Sequence, residues 1–126
     1  MIPSPAHVAP ASALAVTPEP PYYAVIFTSV RRDRAENEDA YAHTANEMVR
    51  LAREQPGFLG IESVRDADGV GITVSYWSSL EAIAAWRKHG EHQMAQRSGR
   101  SDWYGAYAVR VSRVERANVL EAVAAR

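Results

Sequence analysis

The chain has no cysteine, and that absence removes disulfides, thiolate metal sites, iron–sulfur clusters and cysteine nucleophiles together. It also lacks any apolar run near the roughly 20 residues needed to span a bilayer, so no membrane-spanning helix is expected. Charge of one sign is not in excess: 14 Lys and Arg face 15 Asp and Glu, a formal net charge of -1. Neither nucleic acid nor an acidic membrane surface is therefore an expected partner. Nucleotide and hydrolase motifs are missing too. There is no Walker loop, dinucleotide fingerprint or serine hydrolase signature, and Gly69-Val70-Gly71 reads as part of a hairpin turn. The N-terminus has no basic n-region and prolines break its apolar part, so a secretory signal is not expected and a cytoplasmic location is.

What is present fits one domain. The 126 residues are enough for a single hydrophobic core and too few for two. Six of the seven prolines fall within the first 21 residues, where Glu19 is the only charged side chain. Such a stretch favours extended backbone and brings little apolar material to a core, so residues 1–21 read as a tail, able to fold over the domain or over a partner subunit. The folded domain is expected over 22–116, with a short C-terminal tail at 117–126.

From Tyr22 the pattern becomes YYAVIFTSV, aromatic and β-branched, which predicts a strand. Asp33 and Glu36 form a capping box that predicts a helix from about Arg34 to Gln55, stopped by Pro56-Gly57. Tyr41, Ala45, Met48 and Ala52 supply its apolar stripe, widened by Val49 and Leu51. FLGIESVR and VGITVSYW read as two strands joined through the Asp66-Ala67-Asp68-Gly69 turn. A second capping box, Ser78 with Glu81, opens a helix to about Ser98, where Gly99 provides a stop, and a last strand runs from about Tyr104 to Glu115. This order predicts an α+β, ferredoxin-like βαββαβ domain with both helices on one face of an antiparallel four-stranded sheet. The strands carry apolar residues in both phases of their alternation (Val25 and Phe27 against Ala24 and Ile26), so the bare sheet face also asks for cover. A second copy of the same sheet is the simplest cover, and a homodimer through that face is expected.

The second helix sets Ala85, His89, His92 and Gln96 on one side, next to an apolar surface of Leu80, Ile83, Ala84 and Trp86. Three readings are open to the histidines. They ligate a metal, although no third ligand completes a recognisable motif, so no metal site is expected. They line a substrate cavity, one of them serving as a base near neutrality. Or they are solvated residues near a helix C-terminus, where positive charge suits the dipole. Trp77, Trp86 and the Trp103-Tyr104 pair read first as core, with some of the indoles bordering a cavity or an interface because each N–H needs a partner. Arg97 and Arg100 read as surface partners of Asp102 and nearby acids.

The segment SYWSSLEAIAAWRKHGEHQMAQRSGRSDWYGAYAVRVSRVER, with PGFLGIE before it, resembles the antibiotic biosynthesis monooxygenase superfamily. The resemblance spans about Tyr22 to Arg116. It implies a dimeric α+β barrel, each subunit holding a pocket between its sheet and helices. It also implies one of two chemistries. Some members oxidise phenols with dioxygen and no cofactor, the substrate anion itself activating oxygen. Others bind and cleave haem, using an Asn in the first strand, a Trp ending the third and a His on the second helix. Here the Trp position matches Trp77, the Asn position falls at Phe27 or Thr28, and the iron ligand's position falls at Gln96. The expectation is therefore a monooxygenase without cofactor acting on a small aromatic or quinone-like compound, with haem chemistry or a non-catalytic binding or stress role as alternatives. His92 or His89 would be the base. Phe27, Thr28, Trp77, Trp86, Gln96, Trp103 and Tyr104 would contact substrate.

Overall fold

The computed structural model describes residues 13–32, 38–96 and 104–120, with the side chains of residues 38 and 91–96 left outside that description. Its elements are β1 (Tyr22–Arg31), α1 (Glu38–Arg53), β2 (Phe58–Arg65), β3 (Val70–Trp77), α2 (Leu80–Gln96) and β4 (Tyr104–Val114). The sheet order is β2-β3-β1-β4, antiparallel at every pairing. This is the expected ferredoxin-like βαββαβ domain.

Each stop and turn has a local cause. The helix α1 ends two residues before Gln55, because the N–H groups of Glu54 and Gln55 bond the carbonyls of Leu51 and Ala52 and so tighten the last turn. Gly57 then takes φ +86, a conformation other residues resist. In the β2–β3 turn one Asp66 carboxylate oxygen accepts from the N–H groups of Asp68 and Val70 at 3.0 and 2.9 Å, while Gly69 takes φ +90. The first capping box, Asp33 and Glu36, lies outside the described residues, as do the Ser98-Gly99 stop and Arg97, Arg100 and Asp102. The second is shifted by one residue. Ser79, not Ser78, caps α2, its hydroxyl accepting from Ala82 N–H at 3.0 Å, because Ser78 still donates its own N–H to the Gly57 carbonyl at 2.8 Å.

The register assigns the two phases of each strand to opposite faces. Val25, Phe27 and Ser29 of β1, Thr73, Ser75 and Trp77 of β3, and Ile61, Ser63 and Arg65 of β2 share the helix-facing side. The α1 stripe of Tyr41, Ala45, Met48 and Ala52 closes on it, all four side chains buried, together with Ile83 and Trp86 of α2. Leu80 and Ala84, expected beside these two, are exposed instead, because α2 turns a narrower apolar edge to the core than the sequence suggests. The other side carries Ala24, Ile26, Thr28, Val30, Val64, Ile72, Val74 and Tyr76.

The described part of the N-terminal tail folds over this second face of its own domain. Ala15 donates its N–H to one Glu62 oxygen at 3.0 Å, and the other accepts from the Tyr76 hydroxyl at 2.7 Å. Thr17 and Tyr22 share a hydrogen bond at 2.8 Å, and Gly60 leaves room for Ala15, whose methyl would meet any Cβ there. Among the described residues, only the end of the face near Gly60 is covered in this way. At the end near Gly69, Val30, Val64, Val70 and Ile72 stay exposed.

Gly57 tests the local account. A Cβ there would sit 2.6 Å from that of Ala82 at a φ that disfavours L side chains. Gly57→Ala should lower unfolding free energy by about 1–3 kcal/mol, read as a reduced urea midpoint. Gly105→Ala, where only the Val30 carbonyl lies as near as 4.0 Å, should change it far less.

Candidate active site between sheet and helices

The helix-facing floor of the sheet carries polar side chains along its middle. Ser29, Thr73 and Ser75 are buried there. Each is satisfied: the Ser63 and Thr73 hydroxyls bond at 2.7 Å, Ser75 accepts from the Trp77 indole N–H at 2.9 Å, and Ser29 accepts from Arg65 at 2.7 Å. Two aromatic groups rise from this floor at opposite ends.

At one end Trp77 is fully buried and stacks on Trp86, ring centroids 6.0 Å apart and planes 21° from parallel, with Phe58 edge-on at 5.4 Å. His89, one turn along α2, lies against Trp86 at 5.6 Å. Gly90 faces the Met48 methyl of α1 and the Trp86 ring, where a Cβ would make ordinary van der Waals contact at 3.5 and 3.7 Å. Two polar atoms here are buried without a hydrogen-bond partner, Nε1 of Trp86 and Nε2 of His89. An orphaned buried donor and an orphaned imidazole nitrogen on these neighbouring rings each cost about 1–3 kcal/mol, a cost removed when a polar ligand or a water engages them.

At the other end Phe27, Tyr41, Tyr104 and Tyr107 pack edge to face. Phe27 meets Tyr104 at 5.5 Å and Tyr107 at 5.7 Å, and Tyr104 meets Tyr41 at 6.0 Å, their hydroxyls 3.4 Å apart. Burial pushes the Tyr104 hydroxyl well above the usual tyrosine range, and the Tyr41 hydroxyl adds to it, while Arg65 and Arg31 act in the opposite sense. The Arg31 guanidinium carbon lies 3.7 Å from the Tyr41 ring centroid. On β4, Tyr107 and Val111 point to the helix side yet remain 44% and 45% exposed, so this flank of the floor is open.

The expected site residues thus divide. Phe27, Trp77, Trp86 and Tyr104 are brought into the helix-facing core, and His89 stands half-buried beside Trp86. Thr28 is placed on the opposite face, opposite Ile72 and Ala108, so of the two positions left open for the first strand it is Phe27 that faces the site. The side chains of His92 and Gln96, and the whole of Trp103, lie outside the described residues. Sequence reasoning missed Ser29, Tyr41, Arg65 and Tyr107 as site residues. Of these only Arg65 carried a sequence signal, a basic residue within a strand, and its place level with Gly71 came from the register.

Comparison with known proteins agrees with this architecture. A family model described as antibiotic biosynthesis monooxygenase matches residues 21–98. The uncharacterized protein YqjZ of Bacillus subtilis (strain 168) is 60% identical over 108 residues, covering 86% of this chain and 92% of its own. Two solved structures share the fold: Rv0793 from Mycobacterium tuberculosis, with a TM-score of 0.56 at 20% identity over 80% of this chain and 98% of that one, and PA3566 from Pseudomonas aeruginosa, with 0.55 at 15% over 79% and 98%. The chain belongs to the antibiotic biosynthesis monooxygenase family.

The two raised tyrosines predict a pH response. Tyr76, like Tyr104, is pushed up by burial, with the Glu62 carboxylate adding to it. Both hold their protons in the folded chain at pH values where an unfolded tyrosine, near about 10, has released them. Stability should therefore be unaffected by them below about pH 10 and fall as pH rises past it. Near-ultraviolet tyrosinate titration should show at least two tyrosines ionising only on unfolding, and one fewer in Tyr104→Phe.

Proposed function

We propose that this member of the antibiotic biosynthesis monooxygenase family oxidises a small planar aromatic or quinone-like compound with dioxygen, without a cofactor, on the helix-facing side of its sheet. The observation that supports it most directly is the pair of buried, unpartnered atoms on α2, Nε2 of His89 and Nε1 of Trp86. A substrate hydroxyl satisfies both needs: its proton passes to the His89 imidazole, and the oxyanion left behind accepts from an indole N–H. Removing that proton makes the ring electron-rich enough to reduce dioxygen. One oxygen atom then joins a ring carbon, the other leaves as water, and the phenol becomes a quinone.

The described side chains suit this chemistry better than haem. Trp77 is capped by Trp86 and has already given its indole N–H to Ser75. Phe27, at the position where the haem-cleaving pattern carries an amide, has no polar atom.

Oxygen-electrode measurements with a panel of phenols should show uptake that survives chelator and is absent in boiled protein. His89→Ala should reduce kcat by about 100-fold or more, the usual contribution of a positioned base. Unchanged turnover in that variant would transfer the role to His92, tested the same way. Binding with no uptake for any phenol would leave a binder and remove the oxygenase. Added haemin should give no saturable Soret shift.

The exposed patch of Val30, Val64, Val70 and Ile72 supports a homodimer through the sheet face, since so large an apolar surface gains about 25 cal/mol for each Å² withdrawn from water. Sedimentation at micromolar concentration should give a dimer, and Ile72→Asp a monomer that stays folded. A monomeric wild type would overturn it.

A further inference from the structure

Arg65 reaches over the helix-facing floor from the edge strand, with Arg31 nearby on the Tyr41 ring, and the fold makes room for it. It sits on the edge strand β2 level with Gly71, and a Cβ at Gly71 would come within 2.5 Å of the guanidinium carbon and 2.7 and 2.9 Å of its terminal nitrogens. The guanidinium therefore lies flat over a residue with no side chain. Its Nη2 donates to the Ser29 hydroxyl at 2.7 Å and, at 3.4 Å, to the Tyr41 hydroxyl. Its Nη1 donates to the Gly69 carbonyl at 2.5 Å and more distantly to that of Ser29 at 3.5 Å. The rings of Tyr41 and Tyr104 stand 5.9 and 6.0 Å from its centre.

Every one of these partners is neutral. No carboxylate pairs with Arg65 among the described residues, and its Nε–H is buried with no acceptor at all. A guanidinium drawn from water and given only neutral acceptors is under-compensated. Its side-on edge, the Nε–H beside an Nη2 whose bond to Tyr41 is long, matches the two oxygens of a carboxylate. The aromatic wall of Phe27, Tyr41, Tyr104 and Tyr107 stands next to it, and the β4 flank is open at Tyr107.

We propose that Arg65 forms an anion-selective subsite at the Tyr104 end of the floor, apart from the His89 and Trp86 pair at the other end, and binds aromatic ligands carrying a carboxylate, the anion seated on its side-on edge and the ring against Phe27 and Tyr104. This goes beyond the oxygenase reading and does not depend on it. Gly71 and Ser29 are positioning residues, one leaving space for the guanidinium and the other holding its far side.

The experiment uses the full chain and two probes of one ring system, 2-naphthoate and its neutral isostere 2-naphthamide, titrated by calorimetry. Wild type should bind the carboxylate at least about ten-fold tighter than the amide, as a charge-assisted pair in a partly buried site requires. In Arg65→Met that ratio should collapse toward one while naphthamide affinity holds. Gly71→Ala, which keeps the charge but displaces it, should lower the ratio as well, and it decides the matter should Arg65→Met not fold. A wild-type ratio near one, binding of neither probe, or a ratio that survives loss of Arg65 would overturn the proposal. The two readings fail separately. Charge-selective binding without oxygen uptake on any phenol would sink the oxygenase and leave Arg65's role intact, whereas oxygen uptake with no preference for naphthoate over naphthamide would do the reverse.

Discussion

The stack of Trp77 on Trp86 is the joint that the rest of the site depends on. Trp77 ends β3 and is held by Ser75 below it, and Trp86 follows Ile83 from α2 into the core. Their contact fixes how α2 lies on the sheet. Because the helix advances about 100° per residue, fixing Trp86 also fixes His89 one turn later, at the boundary between the core and solvent. At Gly90 α2 runs near α1, where a Cβ would make ordinary van der Waals contact with the Met48 methyl and the Trp86 ring. A smaller residue at either tryptophan would therefore disturb the histidine as well as the packing.

The second organising fact is that β1, one of the two strands paired on both sides, has no polar face to spare. Its helix-facing phase builds the floor and its other phase, with Val64 and Ile72 of neighbouring strands, builds an apolar surface. The N-terminal segment shields one end of that surface through Ala15 and Thr17, with Glu62 holding the segment and Tyr76 together. Proline-rich chain suits this task because it can lie extended on a sheet without needing a core of its own. The result is a sheet whose covered end and bare end are set apart within one subunit.

Buried polarity is concentrated where chemistry is proposed, and it is of two kinds. Along the floor the hydroxyls of Ser63, Thr73, Ser75 and Ser29 are all engaged, so they rigidify. Around them, Trp86, His89 and Arg65 each retain one buried nitrogen without a partner. Folding tolerates few such groups, and three on the same side of one sheet distinguish this surface from an ordinary core.

The strand and helix order, the α1 stripe and both glycine turns were legible from the chain, because each rests on local periodicity or on a conformation that only certain residues adopt. Trp77, Trp86, Phe27 and Tyr104 could be singled out as well, since large aromatics in a small domain must be packed somewhere. Which face each residue took was not legible. Choosing Phe27 over Thr28 needed the register with β3 and β4, because a shift of one residue exchanges the two faces of a strand. The shift of the α2 cap from Ser78 to Ser79 depended on a bond from Ser78 to Gly57, 21 residues earlier in the chain. Arg65 is the clearest case of all: its charge was visible in the sequence, but its meaning arises from Gly71, Ser29, Tyr41 and Tyr104, which lie on four other elements and meet only when the sheet closes. The chain by itself determined its elements, because those obey local rules. Tertiary structure alone decided which polar atoms were left buried without a partner, because that property belongs to a folded neighbourhood and to no single stretch of sequence.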